Sequence, residues 1–497
     1  MNMKDFEIQE DGPTCWIELR EIPDRMRALR NLSPWGSPIL FESAMSLPEV
    51  GRYSFLAADP IEVFQLERGE TTDEAPLFFR ERERLANLNR PTIPGLPTFQ
   101  GGFAGLVCYE TNRRLENIGG DSFRLFDFPD YKIGLYDSVV AWDHLKNRCW
   151  VIAQAIDNRN NHRDRLHQMV QRLFYDSNTD SDLPQDDKAK ADAEFGLPQG
   201  FDRVPSIAGL FSNFSESQYL ERVNQIIEYI YAGDIFQANF AQSLLAQPNT
   251  DSISLYERLR SCNPAPFSAY FDLGEQQVVS ASPERLFSLR DGRVQTRPIK
   301  GTRRRTRFPE ADLPTSLQLQ TSEKDRAENI MIVDLLRNDL SKFCCDSSVE
   351  VKKLCGVESF RSVLHLVSVI EGSVQKSASP FDMLASLFPG GSITGAPKVR
   401  AMEIVSELET VARGPYCGCL GYIGLDGNAD FNILIRTIAA SSNYWNIPVG
   451  GGIVADSIAK REYEETWTKA AGMLNAIQLG QFSSEGASMN HTKAVRQ

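Results

Sequence analysis

Four acidic residues raise the first question of chemistry. Asp325 and Glu328 stand three apart in a segment whose apolar residues Ala327, Ile330, Met331, Leu335 and Leu340 recur at helical spacing. Glu462 and Glu465 stand three apart in a second helical segment, over 460–479. Residues three apart on a helix are neighbours, so if the two helices face each other, four carboxylates converge. Such hard oxygens suit Mg²⁺, which keeps several waters and shares its other positions with a substrate oxyanion. Taken alone, an acidic pair on a helix is ordinarily a solvated face.

Two glycine-rich runs lie nearby in sequence. Pro389-Gly390-Gly391-Ser392-Ile393-Thr394-Gly395-Ala396-Pro397-Lys398 enters a helix, and loop amides at a helix start bind anions. It is not a phosphate-binding Walker loop, because Lys398 follows a proline and the glycine spacing differs. Gly450, Gly451 and Gly452 form the second run, where a missing side chain lets the backbone approach a ligand. Two tight turns would give the same pattern. Lys300 sits in Pro298-Ile299-Lys300-Gly301, and a lysine in an apolar pocket can lose its proton and act as a nucleophile. His365, between Val363-Leu364 and Leu366-Val367, fits a buried core position as well as a catalytic one.

These residues need elements to hold them. The first 175 residues read mainly as strands, at 38–42, 53–57, 61–65, 138–142 and 149–153, with one helix at 162–174. The later part alternates. Helices are predicted over 215–232, 323–340, 397–408 and 460–479, and strands over 278–280, 286–289, 294–296, 419–424 and 431–437. Asp291-Gly292 and Asp426-Gly427 are hairpin turn signals. The fold class is α/β (α+β), with antiparallel sheets flanked by helices. Residues 176–205 are polar and acidic, an expected linker or exposed insertion between regions 1–175 and 206–482; 483–497 is a polar tail.

Of 497 residues, 42% are hydrophobic and 24% charged, ample for a large core without disulfides or metals. The net charge of −13 argues against a general nucleic-acid binder. Arg303, Arg304, Arg305 and Arg307 form the most basic stretch, an expected solvated turn. No apolar run is long enough to span a membrane. The opening MNMKDFEIQEDGPT is neither signal nor transit peptide. Nine cysteines without metal spacing suit reduced thiols, so the expected compartment is the cytoplasm.

The strings GDIFQANFAQ (233–242), SASPERLF (280–287), RPIKGTRRR (297–305), AENIMIVDLLRNDL (327–340), LHLVSVIEG (364–372), GGSITGAPKVRAMEIV (390–405), CGCLGYIG (417–424), FNILIRT (431–437) and GGGIVADSIAKREYEET (450–466) occur in this order. Together they resemble the chorismate-utilising family, which includes the component I chains of anthranilate and aminodeoxychorismate synthases and the isochorismate and salicylate synthases. ILFESA (39–44), GRYSFLAADP (51–60) and GGFAGLVCYE (101–110) extend the resemblance to the amidotransferase-partnered members.

The resemblance implies an anthranilate synthase component I-like fold and a set of roles. Glu328 and Glu465 would ligate Mg²⁺, with Glu462 and Asp325 in support. Arg436, Tyr416 and the amides of Gly450, Gly451 and Gly452 would hold the carboxylates of chorismate, with Lys398 adding charge and Gln237, Thr302 and Thr394 lining the site. Glu284 would be a general acid and His365 would sit beside the ring. Isochorismate and salicylate synthases place a lysine base where Gln237 stands. Anthranilate synthases read Pro-Ile-Ala-Gly-Thr where this chain has Lys300. That lysine is similar to the nucleophile of aminodeoxychorismate synthases, which lead toward p-aminobenzoate and folate. No Gly-x-Cys-x-Gly elbow with a downstream His-x-Glu occurs, so ammonia is expected from a separate glutaminase subunit. Glu42, Ser43 and Pro264 match a tryptophan pocket, which keeps anthranilate synthase open as the alternative. A non-catalytic scaffold is the alternative of another class.

Overall fold

The β-branched and aromatic runs gather into two antiparallel sheets packed face to face in a computed structural model. It describes residues 7–45, 50–70, 75–120, 122–157, 161–175, 196–305, 309–359 and 363–477. The first sheet has 14 strands. Its path runs Gln9–Asp11, Thr14–Glu18, Arg148–Gln154, Ser138–Asp143, Tyr53–Ala57, Ile39–Glu42, Phe267–Asp272, Gln276–Ser282, Thr437–Ser441, Trp445–Ile453, Gln237–Ala246, Leu210–Ser212 and Asp202–Arg203. Gly395–Ala396 adds to the end of Gln237–Ala246. The second, 10-stranded sheet runs Ile299–Arg304, Val363–Ser373, Arg293–Thr296, Arg285–Arg290, Ala429–Asn432, Cys419–Gly424, Gly102–Val107, Tyr131–Tyr136 and Glu62–Leu66, with Glu350–Ser359 also on Val363–Ser373.

Phe55, Phe99, Leu106, Phe271, Leu420 and Tyr422 fill the space between the sheets. Phe99 and Tyr422 approach to 4.5 Å between ring centroids. Helices cover both outer faces. Arg25–Leu32, His162–Leu173, Ser252–Cys262 and Ala459–Ala476 pack on the first sheet through Leu29, Leu166, Leu255 and Leu474. Phe79–Leu88, Glu323–Ser341 and Pro380–Leu387 pack on the second through Leu85, Leu336 and Phe381. Several helix starts carry oxygen caps: Ser215 closes a capping box with Gln218 ahead of Glu216–Ala232, and Ser322 accepts from the Asp325 amide.

Both sheets draw strands from either side of residues 176–205. Ile39–Glu42 pairs with Phe267–Asp272, and Gly102–Val107 pairs with Cys419–Gly424. The two regions expected from composition therefore share one composite fold. Residues 176–195 and 478–497 lie outside the described residues. Of the rest of the expected linker, Asp202–Arg203 joins the first sheet and Phe201 packs on Phe211 and Val411.

Most expected strands and helices are present within a few residues. Asp291 and Gly292 take the left-handed φ values (50° and 73°) of a tight hairpin. Two boundaries differ. The helix expected from Pro397 begins at Lys398, with Pro397 as its extended N-cap. The strand expected over 431–437 does not exist as one strand. It ends at Asn432 in the second sheet, and Thr437 opens a strand of the first. The apolar run Phe431, Ile433, Leu434, Ile435 looks continuous, but its amides bond to different partners: Ile433 to Glu284 O (3.0 Å) and Leu434 to Gly418 O (2.8 Å). A parallel crossing occurs between Gln276–Ser282 and Arg285–Arg290. Glu284 and Arg436 thus both lie at the seam where the chain passes from sheet to sheet.

Candidate active site at the seam between the sheets

Lys300 lies on Ile299–Arg304, the edge strand of the second sheet. A bulge at Gly301 (φ 73°) shifts the register between Lys300 and Thr302. A Cβ at position 301 would also stand 3.0 Å from the Asp325 side chain, so glycine is needed twice over. The bulge lets Lys300 reach inward, where its amine donates to Ser392 O at 3.2 Å. Burial pulls its pKa below the usual lysine value, against the attraction of Glu328 and Glu284; Lys469 pushes in the same direction as burial.

Glu284 is buried, and burial raises its carboxyl above the ordinary range, although Ser392 and the Lys300 charge pull it down. Its Oε1 makes no well-formed hydrogen bond, although the Ser392 hydroxyl lies close enough to draw on the carboxyl. Gln237 is fully buried with both its amide nitrogen and its oxygen unpaired. Buried polar atoms without partners are rare and need an explanation. Around Lys300 and the glycine run they mark a surface made to receive polar groups.

The walls are built from both sheets. Gly450, Gly451 and Gly452 lie within the strand Trp445–Ile453, not in a turn. That strand pairs with Gln237–Ala246 along its length but with Thr437–Ser441 only at Trp445 and Asn446, so the glycine run has a free edge. A Cβ at position 452 would stand 2.7 Å from Gln237 Nε2, and one at position 450 would stand 2.4 Å from Phe240 O. Position 451 faces Glu462, Lys469 and Glu465. Arg436, held in the left-handed region (φ 53°), donates to Lys469 O at 2.9 Å. Its guanidinium feels burial first, then the charges of Tyr416 and Glu465. Tyr416 is buried beside it. His365 bonds Thr302 Oγ1 through Nδ1 at 2.8 Å. Burial, with Arg436 nearby, brings the imidazole to about 4, so it is neutral at pH 7.

Glu465 approaches closely enough for its charge to act on Glu328 of the facing helix and on Glu462 of its own. Burial raises Glu328 and Glu462. Burial also pushes Glu465 up, but Lys469, 2.7 Å away, brings the net shift below the usual value. Lys324 lies 3.9 Å from Glu328 and draws on all three carboxylates. Among the described residues, no three acidic, histidine or cysteine groups stand together closely enough to hold a metal as placed. In kind, these carboxylate donors fit Mg²⁺.

Three expected residues are engaged by neighbours. Asp325 is engaged by Arg303 at 2.9 Å. Lys398 is held by buried Asp339 at 2.7 Å. The Thr394 hydroxyl donates back to Gly390 O at 3.2 Å within its own loop. Glu42, Ser43 and Pro264 do come together: Glu42 pairs with Ser268, and the Ala44 amide bonds Ala265 O at 3.1 Å. Glu42 is closed in by Arg25 (2.6 Å), Arg260 (2.7 Å) and the Tyr256 hydroxyl (2.9 Å).

Sequence reasoning missed Lys469 and Arg413. Lys469 is four residues beyond Glu465 on the same helix, a spacing that puts the two on one face. Buried Arg413 pairs with Glu409 and donates to Asn239 O (2.6 Å) and Ile393 O (3.4 Å), backbone that carries the site. No local signal distinguished it from a surface arginine.

A family model described as chorismate binding enzyme matches residues 37–475. The chain is 36% identical over 460 residues to aminodeoxychorismate synthase component 1 of Salmonella typhimurium, covering 90% of this chain and 94% of that one. It is 37% identical over 445 residues to anthranilate synthase component 1 of Thermus thermophilus, covering 88% and 90%. The crystal structure of anthranilate synthase component I from Streptococcus pneumoniae superimposes with a TM-score of 0.72 at 31% identity, covering 86% of this chain and 93% of that one.

Proposed function

The chain belongs to the chorismate-binding enzymes, and on that premise we propose that it is an aminodeoxychorismate synthase component I. It converts chorismate and ammonia to 4-amino-4-deoxychorismate. The observation that carries this reading is Lys300, whose amine is lowered toward neutrality by burial beside a carboxyl raised by burial. Relatives of both activities match at similar identity, so the branch rests on that residue.

Arg436, Lys469 and the free edge of the glycine run would bind the chorismate carboxylates, and Tyr416 would pack beside them. Glu328 and Glu465, with Glu462, would hold Mg²⁺, which would offset charge on a bound carboxylate. Glu284, whose carboxyl is raised above the ordinary range by burial, gives its proton to the C4 hydroxyl, which leaves as water. The Lys300 amine forms a bond to C2 as the ring double bonds shift, and its extra proton returns to the Glu284 carboxylate. Ammonia bonds to C4, the double bonds shift back, and the C2–nitrogen bond breaks as the departing lysine nitrogen takes up the proton that the added ammonia gives up, which restores Lys300. The pyruvyl ether is untouched, so release of p-aminobenzoate belongs to a separate lyase. Gln237 presents an amide, not a base, which supports ammonia over activated water as the incoming group. The relatives' designation as component 1 supports a partner, for which we propose a glutaminase. A cytoplasmic setting is proposed on the reduced-thiol pattern; no helix of the described residues is long and apolar enough to cross a membrane.

Anthranilate synthase component I is the second reading, favoured by the gathered Glu42, Ser43 and Pro264. We propose that tryptophan, if it binds there, contacts this cluster without displacing the pairs that close Glu42. Incubation with chorismate, Mg²⁺ and ammonia, followed by product separation, tests the branch. Aminodeoxychorismate is expected; anthranilate would overturn the proposal, and no turnover would favour a scaffold. Lys300→Ala should abolish any chorismate-derived adduct seen by mass spectrometry.

A further inference from the structure

The helix Glu323–Ser341 carries Glu328, and the residue that follows it, Asn329, is fully buried. Asparagine is a poor helix former, and burying its amide is costly unless the polar atoms find partners. Asn329 finds them outside its own helix. Its amide nitrogen donates to Leu366 O at 3.4 Å, and its Oδ1 accepts from the Ser368 hydroxyl. The Cys355 thiol lies 3.6 Å from the same oxygen. Ser368 is fully buried too, and its hydroxyl also accepts from the Cys355 amide at 2.9 Å. The Ser368 amide donates to Pro298 O at 3.2 Å, two residues before Lys300.

These bonds join four segments. Leu366 and Ser368 lie on Val363–Ser373, and Leu366 stands opposite Lys300 in the ladder. Cys355 lies on Glu350–Ser359, in the left-handed region (φ 52°), where the register slips between Lys353 and Gly356. Apolar packing already seats the helix, through buried Ile332, Leu336 and Leu340. Such contacts are non-directional and leave a helix free to turn or slide. A hydrogen bond has a fixed donor and acceptor, and a satisfied buried network specifies one arrangement. We propose that Asn329 and Ser368 are positioning residues: they fix the helix that bears Glu328 in register with the strand opposite Lys300, and so set where the Glu328 carboxylate stands for a divalent cation. The inference rests on the proposed role of Glu328 in holding Mg²⁺. Both side chains are enclosed in the network, so they act through Glu328 and not on substrate.

Asn329→Ala and Ser368→Ala break the network, Ser368→Thr keeps its hydroxyl, and Leu336→Ala loosens the same helix by packing alone. Melting temperatures check that each folds; where Asn329→Ala does not, Ser368→Ala, which deletes one hydroxyl, decides. Mn²⁺ is titrated into each protein in place of Mg²⁺, with chorismate and without ammonia, and the free ion is read by electron paramagnetic resonance. Rates with ammonia are then measured across Mg²⁺ concentrations. The expected result is about a tenfold or greater loss of Mn²⁺ affinity in the two network variants, with a rate deficit that closes as Mg²⁺ saturates. Ser368→Thr should bind as the wild type does, and Leu336→Ala should melt earlier without losing affinity. Undiminished Mn²⁺ affinity in the folded network variants, where Glu328→Gln loses it, would overturn this inference alone. So would a loss in Leu336→Ala as large as theirs. A wild-type chain that binds no Mn²⁺, or binding that survives Glu328→Gln, would overturn the cation reading of Glu328 and this inference with it.

Discussion

In water, Lys300 would carry a charge and Glu284 would have lost its proton. Burial moves both toward the neutral form, which is the form each needs. The consequence for rate is a bell. At constant free ammonia, kcat/KM should rise with pH as Lys300 loses its proton and fall as Glu284 loses its own; a profile flat across the neutral range would sink this assignment. The consequence for stability is separate. The unfolded chain binds a proton at position 300 more readily than the folded one, so this site adds stability as pH rises from the lowered value toward the ordinary lysine value. Lys300→Met should therefore be inactive yet more stable by about 0.5–2 kcal/mol. That gain should shrink in alkaline buffer, and thermal melts at two pH values would read it. None of this was legible in the sequence. The motif flagged Lys300, but burial at an edge-strand bulge is a property of the neighbours that the fold brings.

At the scale of elements, the helices that carry Glu328 and Glu465 were legible because apolar spacing marks them and each holds its acids at a three-residue interval. The crossing at 433–436 was not, because an unbroken apolar run reads as one strand whichever sheet its amides join. The glycine run at 450–452 was open between a close backbone approach and a tight turn; the approach of Phe240 O and Gln237 excludes side chains from what is an extended strand. Arg413 belongs to this scale. It binds two carbonyls from separate elements and is held by Glu409, whose other bond is to the Ala241 amide (2.8 Å). Arg413→Met strands a buried carboxylate and should cost about 3–5 kcal/mol. The pair Arg413→Met with Glu409→Gln should recover part of that loss. Urea unfolding of the single and double variants would decide; equal losses would mean that the arginine acts by packing alone.

Across the whole molecule, neither region 1–175 nor region 206–482 owns a complete sheet. Residues 206–477 expressed alone should leave Phe267–Asp272 and Cys419–Gly424 without their neighbours, and should be insoluble or unfolded by circular dichroism. Adding residues 1–175 in trans should restore structure and activity, since no described strand pair uses 176–195; a soluble, folded fragment would show instead that the first region is dispensable. The same interleaving sets a schedule during synthesis. Tyr422 lies 324 residues downstream of Thr98, whose hydroxyl it meets. At ribosomal speeds of about 5–20 residues per second, the earlier segment waits roughly 15–65 s for that partner. For that interval the nascent chain shows open sheet edges to the cell, so yield in a heterologous host should depend on chaperone supply and growth temperature before any property of the finished active site matters.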